Sequence, residues 1–210
     1  VQQLLVFAKG GAPIKKRIKV DAFVEQWFKG HHRKEGVTYK LEVAKQIGEA
    51  ELDPDQVRRV LGNLAKNAEQ SIAGPGSLAV EVSRVTDLTV DELGQEIEVP
   101  MVQVSFADSG HGISAEDQQR VFEPYFTTRQ SANATGIGLT VCESIAKAHG
   151  GSIALESKEG AGTTVKVRFP AVPSSIDPAP AKKQPESEGG TDSGAKIDPP
   201  KKSARILILE

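Results

Sequence analysis

Two periods of apolar and polar positions run along this chain, and the places where one gives way to the other mark its elements. From Val20 to Phe28 the apolar residues Val20, Phe23, Val24, Trp27 and Phe28 recur at i, i+3, i+4, i+7 and i+8, which predicts an amphipathic helix. Val37, Tyr39, Leu41 and Val43 then alternate with polar residues, the period of a half-buried strand over Val37 to Ala44. Asp53-Pro54-Asp55-Gln56 supplies an N-cap, a proline at the first helical position and a glutamine three residues after the cap. Val57, Val60, Leu61, Leu64, Ala68 and Ile72 carry the buried stripe of the helix that follows, until Gly74-Pro75-Gly76 stops it. Leu78 to Val85 and Met101 to Ala107 read as strands, and the weakly patterned acidic stretch Thr86 to Pro100 between them as a hairpin extension or surface excursion. Ser114 caps another helix, expected to end near Pro124. A helix from about Gly138 to His149, halted by Gly150-Gly151, leads into a last pair of strands, Ser152 to Ser157 and Thr163 to Phe169.

The two ends break these patterns. Val1 to Ala8 is apolar without alternation and is followed by Gly10-Gly11 and Pro13, so it reads as the end of a helix, and the basic run Lys15 to Lys19 as a solvated connector. After Pro170, residues Ala171 to Ser203 are Pro, Ala, Ser, Gly, Lys and acidic residues with almost no large apolar side chains, the composition of a flexible linker. Arg205 to Glu210 then has a buried-strand pattern. Four segments are expected: a helix end over 1–12, a folded domain over 13–170, a linker over 171–203 and a strand start over 204–210.

Composition narrows the classes. Of 210 residues, 38% are hydrophobic, enough for a packed core. With 26 basic against 28 acidic residues and a net charge of -2, no global field favours nucleic acid or an anionic membrane. One cysteine, Cys142, excludes an internal disulfide framework and fits a reducing compartment. No apolar run approaches the roughly twenty residues needed to span a bilayer, and no signal peptide opens the chain. A soluble cytoplasmic fragment without membrane contact of its own is expected, in a parent free to carry an anchor elsewhere.

Three places could carry chemistry. Asn63 and Asn67 lie four apart, one turn along the same helix face, and carboxamides are poor helix-interior residues on propensity alone. They read either as exposed or capping asparagines or as ligand contacts, with the Asn67 carbonyl oxygen offered to a Mg2+ that takes few protein oxygens and keeps waters. Lys66 between them reads as a solvated lysine. Asp108 ends an apolar strand and precedes Gly110 and Gly112. It is either the start of an ordinary turn or a carboxylate that accepts from the exocyclic amine of a base, with glycines that let backbone approach. Gly136 and Gly138 flank Ile137 immediately before the helix carrying Leu139, a helix entry that leaves backbone donors for phosphate. It lacks the Lys-Ser/Thr pair of a Walker A loop. Phe122, Tyr125 and Phe126 read as core anchors. Thr127 to Ala134 has the small, polar composition of a mobile lid whose one cation, Arg129, is placed to reach a terminal phosphate. Cys142 reads as a small core residue, His149 as a helix-terminus histidine, and His31 and His32 as exposed.

Asn63-Leu-Ala-Lys-Asn67-Ala68, Asp108-Ser-Gly-His-Gly112, Phe122-Glu-Pro-Tyr-Phe126-Thr-Thr and Thr135-Gly-Ile-Gly-Leu139 resemble, in order and spacing, the four nucleotide-binding boxes of sensor histidine kinase catalytic domains. The resemblance covers about Val20 to Pro170, and Ala148-His-Gly-Gly-Ser152 and Gly160-Ala-Gly-Thr-Thr164 fit it too. It implies the Bergerat ATP-binding fold, an α/β two-layer sandwich of a mixed sheet against helices. It implies that Asn67, with Asn63, contacts Mg2+-ATP, that Asp108 recognises adenine, and that Gly110, Gly112, Gly136 and Gly138 shape the site, with Thr164 as a weaker adenine-side candidate. In the wider superfamily, gyrase-type ATPases place a water-activating glutamate four residues before the metal asparagine. Here that position is Asn63, which favours γ-phosphoryl transfer over hydrolysis.

The resemblance also implies partners. No histidine here has the context of a phosphoacceptor, so the acceptor is expected on a helical dimerisation domain of a homodimeric parent, of which Val1 to Ala8 resembles only a tail. Arg205 to Glu210 is similar to the first strand of a receiver domain, as in a hybrid kinase. The competing expectations are an ATPase of the gyrase or mismatch-repair class and a non-catalytic nucleotide-binding module.

Overall fold

The computed structural model describes residues 11–90, 94–128 and 135–173, and the backbone of a strand at 204–209. Strand β1 (Lys16–Lys19) leads into helix α1 (Val20–Gly30), followed by β2 (Val37–Ala44), β3 (Glu49–Leu52) and helix α2 (Pro54–Ser71). Strands β4 (Gly76–Val90) and β5 (Glu96–Asp108), a short helix α3 (Ala115–Gln118), helix α4 (Gly138–Ala148), and strands β6 (Ser152–Lys158) and β7 (Gly162–Pro170) complete the domain. The main sheet runs β6-β7-β5-β4-β2, parallel between β2 and β4 and antiparallel elsewhere, and strand β8 (Ala204–Leu209) lies antiparallel along β2.

One face of this sheet is apolar and the other is polar, as expected when helices cover a single side. Tyr39, Leu41 and Val43 on β2, Leu78, Val80 and Val82 on β4, Val102, Val104 and Phe106 on β5, and Val165, Val167 and Phe169 on β7 are all buried. They pack against Val57, Val60, Leu61 and Leu64 of α2, Val20, Val24 and Phe28 of α1, and Val141, Cys142 and Ile145 of α4. The outer face carries polar pairs instead: Arg168 donates to Gln103 Oε1 at 2.8 Å and to Asp87 Oδ1 at 2.5 Å. The two-layer α/β sandwich is the expected one.

Helix α2 begins where its cap dictates. Asp53 Oδ1 accepts from Asp55 N at 3.0 Å and Gln56 N at 3.2 Å, with Pro54 at the first helical position. Its Oδ2 accepts from Ile14 N at 2.8 Å, which fastens the N-terminal connector to the same cap. Burial pushes the Asp53 carboxyl up, but these three backbone donors outweigh it and leave it below the usual carboxylate value. At the far end of α4, His149 is buried; its Nε2 accepts from Asp53 N at 3.0 Å and its Nδ1 lies 2.8 Å from Ile145 O. His149 therefore ties the end of α4 to the start of α2.

Four expectations change. The basic run is strand β1, paired antiparallel with β3 from Lys16↔Leu52 to Lys19↔Glu49, because the backbone finds a partner that a composition reading cannot see. Helix α3 covers only Ala115–Gln118 and stops well short of Pro124, the chain going on in tighter turns in which Arg120 N donates to Asp117 O at 2.9 Å and Glu123 N to Arg120 O at 2.8 Å. The domain continues past Pro170: Ala171 bridges Ala50 and Val172 N donates to Glu49 O at 2.7 Å. His31 is half-buried rather than exposed, stacked on Trp27 with 4.9 Å between ring centroids and 2.8 Å from Glu69 Oε1. Thr86 to Pro100 is the paired end of the β4–β5 hairpin, in register from Thr86↔Pro100 to Val90↔Glu96. The helix end expected over Val1 to Ala8 and the linker from residue 174 to 203 lie outside the described residues.

Candidate functional site

On α2, Asn63, Asn67 and Ser71 follow one another at steps of four, so their side chains form a single row. All three line one cavity, together with Lys66 and Gln70. The opposite walls come from Asp108, His111 and Gly112 after β5, Thr163 and Val165 on β7, Phe126 to Thr128, and Thr135, Gly136, Gly138 and Leu139 at the start of α4. Five segments that are separate in sequence therefore meet in one place.

At one end of the cavity the loop after β5 is tied to the end of α2. Asp108 Oδ1 accepts from Gly110 N and from Ser71 Oγ, each at 2.8 Å, and Ser71 O accepts from His111 N at 3.2 Å. Gly110 leaves room for this contact: a Cβ there would stand 2.0 Å from Ser71 Oγ. Gly112 has φ +72°, and a Cβ on it would sit 2.1 Å from Lys158 O, so both conformation and space demand glycine. Gly110 thus supports the cavity from behind its wall, while Gly112 lines it.

The other end is built from α4. Its N-cap residue, Ile137, makes no side-chain cap, the kind of helix start whose first-turn N–H groups suit an anionic ligand. Gly138 faces Asn67, where a Cβ would stand 3.7 Å from Nδ2 and 3.9 Å from Oδ1. Gly136 (φ +63°) accepts from Tyr125 N at 2.9 Å, joining the two ends of the segment between them. Leu139 lines the cavity, whereas Ile137 packs against the core. Arg129 lies outside the described residues. Asn63 reaches α4 as well: burial pushes the Cys142 thiol up to about 12 despite a hydrogen bond from Asn63. That thiol is inert core, as expected.

Two sequence readings need correction. Thr164 pairs with Ala107 on the polar face of β7, away from the cavity, while Thr163 pairs with Asp108 and lines it. Strand alternation assigns one of two adjacent threonines to each face, and the register opposite Asp108 selects Thr163. Tyr125 is 49% exposed with φ +68°, so it is no core anchor, although Phe126 is half-buried under Arg120. Ser71 and Thr163 are among the cavity residues missed in sequence, as are Gln70, Leu155 and Val165. The step of four from Asn67 pointed to the first.

The model of the family described as histidine kinase-, DNA gyrase B-, and HSP90-like ATPase matches residues 52–173. The chain belongs to this family. Over 132 residues it is 38% identical to the sensor histidine kinase ZraS of Escherichia coli (strain K12), a match covering 63% of this chain and 25% of that protein. The chain thus spans about a quarter of the length of this curated relative. The solved catalytic domain of histidine kinase ThkA is 25% identical with a TM-score of 0.58, over 74% of this chain and 95% of that one. Full-length ShkA in complex with AMPPNP shares the fold, with 20% identity and a TM-score of 0.59, over 80% of this chain and 34% of that one. Within this family, the cavity between α2 and α4 is the candidate ATP site.

Proposed function

We propose that this domain binds Mg2+-ATP and donates its γ-phosphoryl group to a histidine on the parent's helical dimerisation domain, as the catalytic part of a sensor histidine kinase. The observation that carries the reading is the composition of the cavity. Asn63 and Asn67 stand beside the open start of α4, and Asp108, at the opposite end, is the one carboxylate lining it among the described residues. A hydrolytic relative would place a glutamate where Asn63 stands. With an asparagine in place of that water-activating glutamate, what remains is positioning and charge neutralisation, which is what phosphoryl transfer needs.

In this reading Asp108 accepts from the adenine amine, and Gly136, Gly138 and Leu139 present backbone to the phosphates. Asn67, with Asn63 next to it, contacts the metal-bound phosphates. The residues fit a magnesium ion shared with phosphate rather than a cage: no group of three or more His, Cys, Asp or Glu among the described residues could hold a metal, and a neutral carboxamide oxygen suits a cation that keeps its waters. When bound, Mg2+ would neutralise charge on the β- and γ-phosphates. Arg129 is assigned to the terminal phosphate. In the transfer, the bond from the γ-phosphorus to the bridging oxygen breaks, a phosphorus–nitrogen bond to the acceptor imidazole forms, and ADP leaves.

The same reading supplies the partners. The upstream dimerisation domain belongs to a homodimeric parent in the cytoplasm, and a response-regulator receiver domain takes the phosphoryl group onward; the strand at 204–209, expected from sequence as that receiver's first strand, pairs with β2 of this domain instead. The test incubates this domain with γ-labelled ATP and the parent's helical domain. Acid-labile, base-stable label on a histidine of the helical domain is expected, lost with Asn67→Ala. Steady phosphate release by the domain alone, abolished by Asn63→Ala, would instead mark a hydrolase.

A further inference from the structure

We propose that Ser71 is a positioning residue that fixes the Asp108 carboxylate for an adenine amine, so that base selection depends on a serine at the C-terminal end of α2. The inference deepens the proposed function and rests on Asp108 being its base-recognising group. Three observations carry it. Ser71 is the last residue of α2, is buried, and continues the row of Asn63 and Asn67. Its hydroxyl lies 2.8 Å from Asp108 Oδ1, and its carbonyl accepts from His111 N at 3.2 Å, so both polar ends of the residue grip the strand-end loop that holds Asp108. Gly110 gives up its side chain to this contact, since a Cβ there would stand 2.0 Å from Ser71 Oγ.

The hydrogen-bond arithmetic assigns a role to each oxygen. Oδ1 of Asp108 is taken by two donors, the Gly110 N–H and the Ser71 hydroxyl. Oδ2 is left to accept from a ligand. A carboxylate whose first oxygen is held by two donors from two elements has one orientation to offer rather than a rotating pair, and a fixed acceptor discriminates between an amine and a carbonyl at the same place on a purine. Ser71 has one hydroxyl proton and two acceptors in reach, Ala68 O at 2.7 Å and Asp108 Oδ1 at 2.8 Å. The ionised carboxylate is the stronger acceptor. Removing the hydroxyl leaves Oδ1 with one donor and lets the carboxylate turn.

A double-mutant cycle read with two nucleotides tests this: wild type, Ser71→Ala, Asp108→Ala and the double variant, each titrated calorimetrically with Mg2+-ATP and with Mg2+-ITP, which carries an oxygen where ATP carries the amine. Ser71→Ala should weaken ATP roughly threefold to tenfold, the usual worth of one hydrogen bond, and leave ITP unchanged. The unchanged ITP affinity also reports that the variant is folded. In the Asp108→Ala background the Ser71 effect on ATP should vanish. Equal losses for ATP and ITP, or additive losses in the double variant, would overturn the proposal. If Asp108→Ala itself leaves ATP binding intact, the adenine assignment fails first. If it weakens ATP while Ser71→Ala does not, only the role of Ser71 falls.

Discussion

Gly112 and Gly138, at opposite ends of the cavity, serve opposite purposes, while Gly136 (φ +63°, a Cβ 2.5 Å from Tyr125 C) is demanded by the fold as Gly112 is. At the Asp108 end, Gly112 is held at φ +72° with a backbone carbonyl 2.1 Å from where its Cβ would be, and Gly110 is closed by Ser71. At the α4 end, Gly138 has ordinary helical conformation, and the nearest atoms, those of Asn67, are 3.7 Å away. The first set of glycines is required by the fold itself. Gly138 is not, so its small size is left to serve whatever approaches the helix start. One end of the site is therefore a preformed socket in which Asp108 is held by one oxygen, and the other is an opening waiting for charge.

Alanine at the two positions breaks or keeps this contrast most sharply. Gly112→Ala should destabilise the domain by roughly 2–5 kcal/mol, the cost of a left-handed residue plus overpacking against backbone. Gly138→Ala should leave stability equal or raise it by up to about 1 kcal/mol, because alanine is the better helix former, while still weakening ATP. Denaturant midpoints with calorimetric titrations measure both. Equal destabilisation by the two would dissolve the contrast.

The next two substitutions ask whether the ends divide the nucleotide as their chemistry suggests. Asp108→Ala should cost ATP binding about 1.5–3 kcal/mol, roughly 10- to 150-fold in Kd, the worth of a hydrogen bond to a charged group. The loss should be as large for AMP as for ATP, since the adenine is common to both. Asn67→Asp should do the reverse: AMP should bind as before, while the extra affinity that Mg2+ and the γ-phosphate confer should change by about tenfold, a charge-sized effect on one contact. If Asn67→Asp weakens AMP as strongly as ATP, the metal-side assignment is wrong.

How much of this was legible depends on whether a feature is local or paired. The cap at Asp53, the stripe of α2 and the alternation of β2 are written in consecutive residues, and each element formed where its pattern lies. The pairing of Asn63 with Asn67 was equally readable, because helical spacing alone fixes it, but the third member of the row, Ser71, was passed over, because the step of four alone gives a lone serine no role until Asp108 is seen opposite it. Strand β1 was not, since Lys16 to Lys19 becomes a strand only because Glu49 to Leu52 lies opposite it. The choice between Thr163 and Thr164 likewise depended on cross-strand register with Asp108, which no single segment specifies. Gly110 showed the same limit. Its spacing marked it as part of the site, but its role follows from Ser71, nearly forty residues earlier, closing over it.

The smallest expected effect tests whether both ends of the cavity hang from one distant fastening. α2 and α4 supply its two facing walls, and they are joined at the other end of the domain by His149, whose Nε2 accepts from Asp53 N. Burial, outweighing the favourable contact with Ile145 O, lowers the imidazole below its ordinary value; Lys15 lowers it further and Asp53 raises it. The neutral ring is the one the fold needs, because a protonated Nε2 cannot accept from Asp53. The unfolded chain therefore takes up a proton near pH 6.5 that the folded chain refuses, and stability is full above that pH and falls as pH drops below it. The slope from this one group is at most about 1.4 kcal/mol per pH unit. Thermal midpoints from pH 7.5 to 5 should decline in the wild type and flatten in His149→Gln, whose side-chain oxygen accepts from Asp53 N without titrating. ATP and AMP should then lose affinity together as the pH falls, since displacing the shared fastening moves both walls. A loss confined to ATP would place the pH sensitivity at the phosphate end, and α2 and α4 would have to be held in register by their apolar contacts alone.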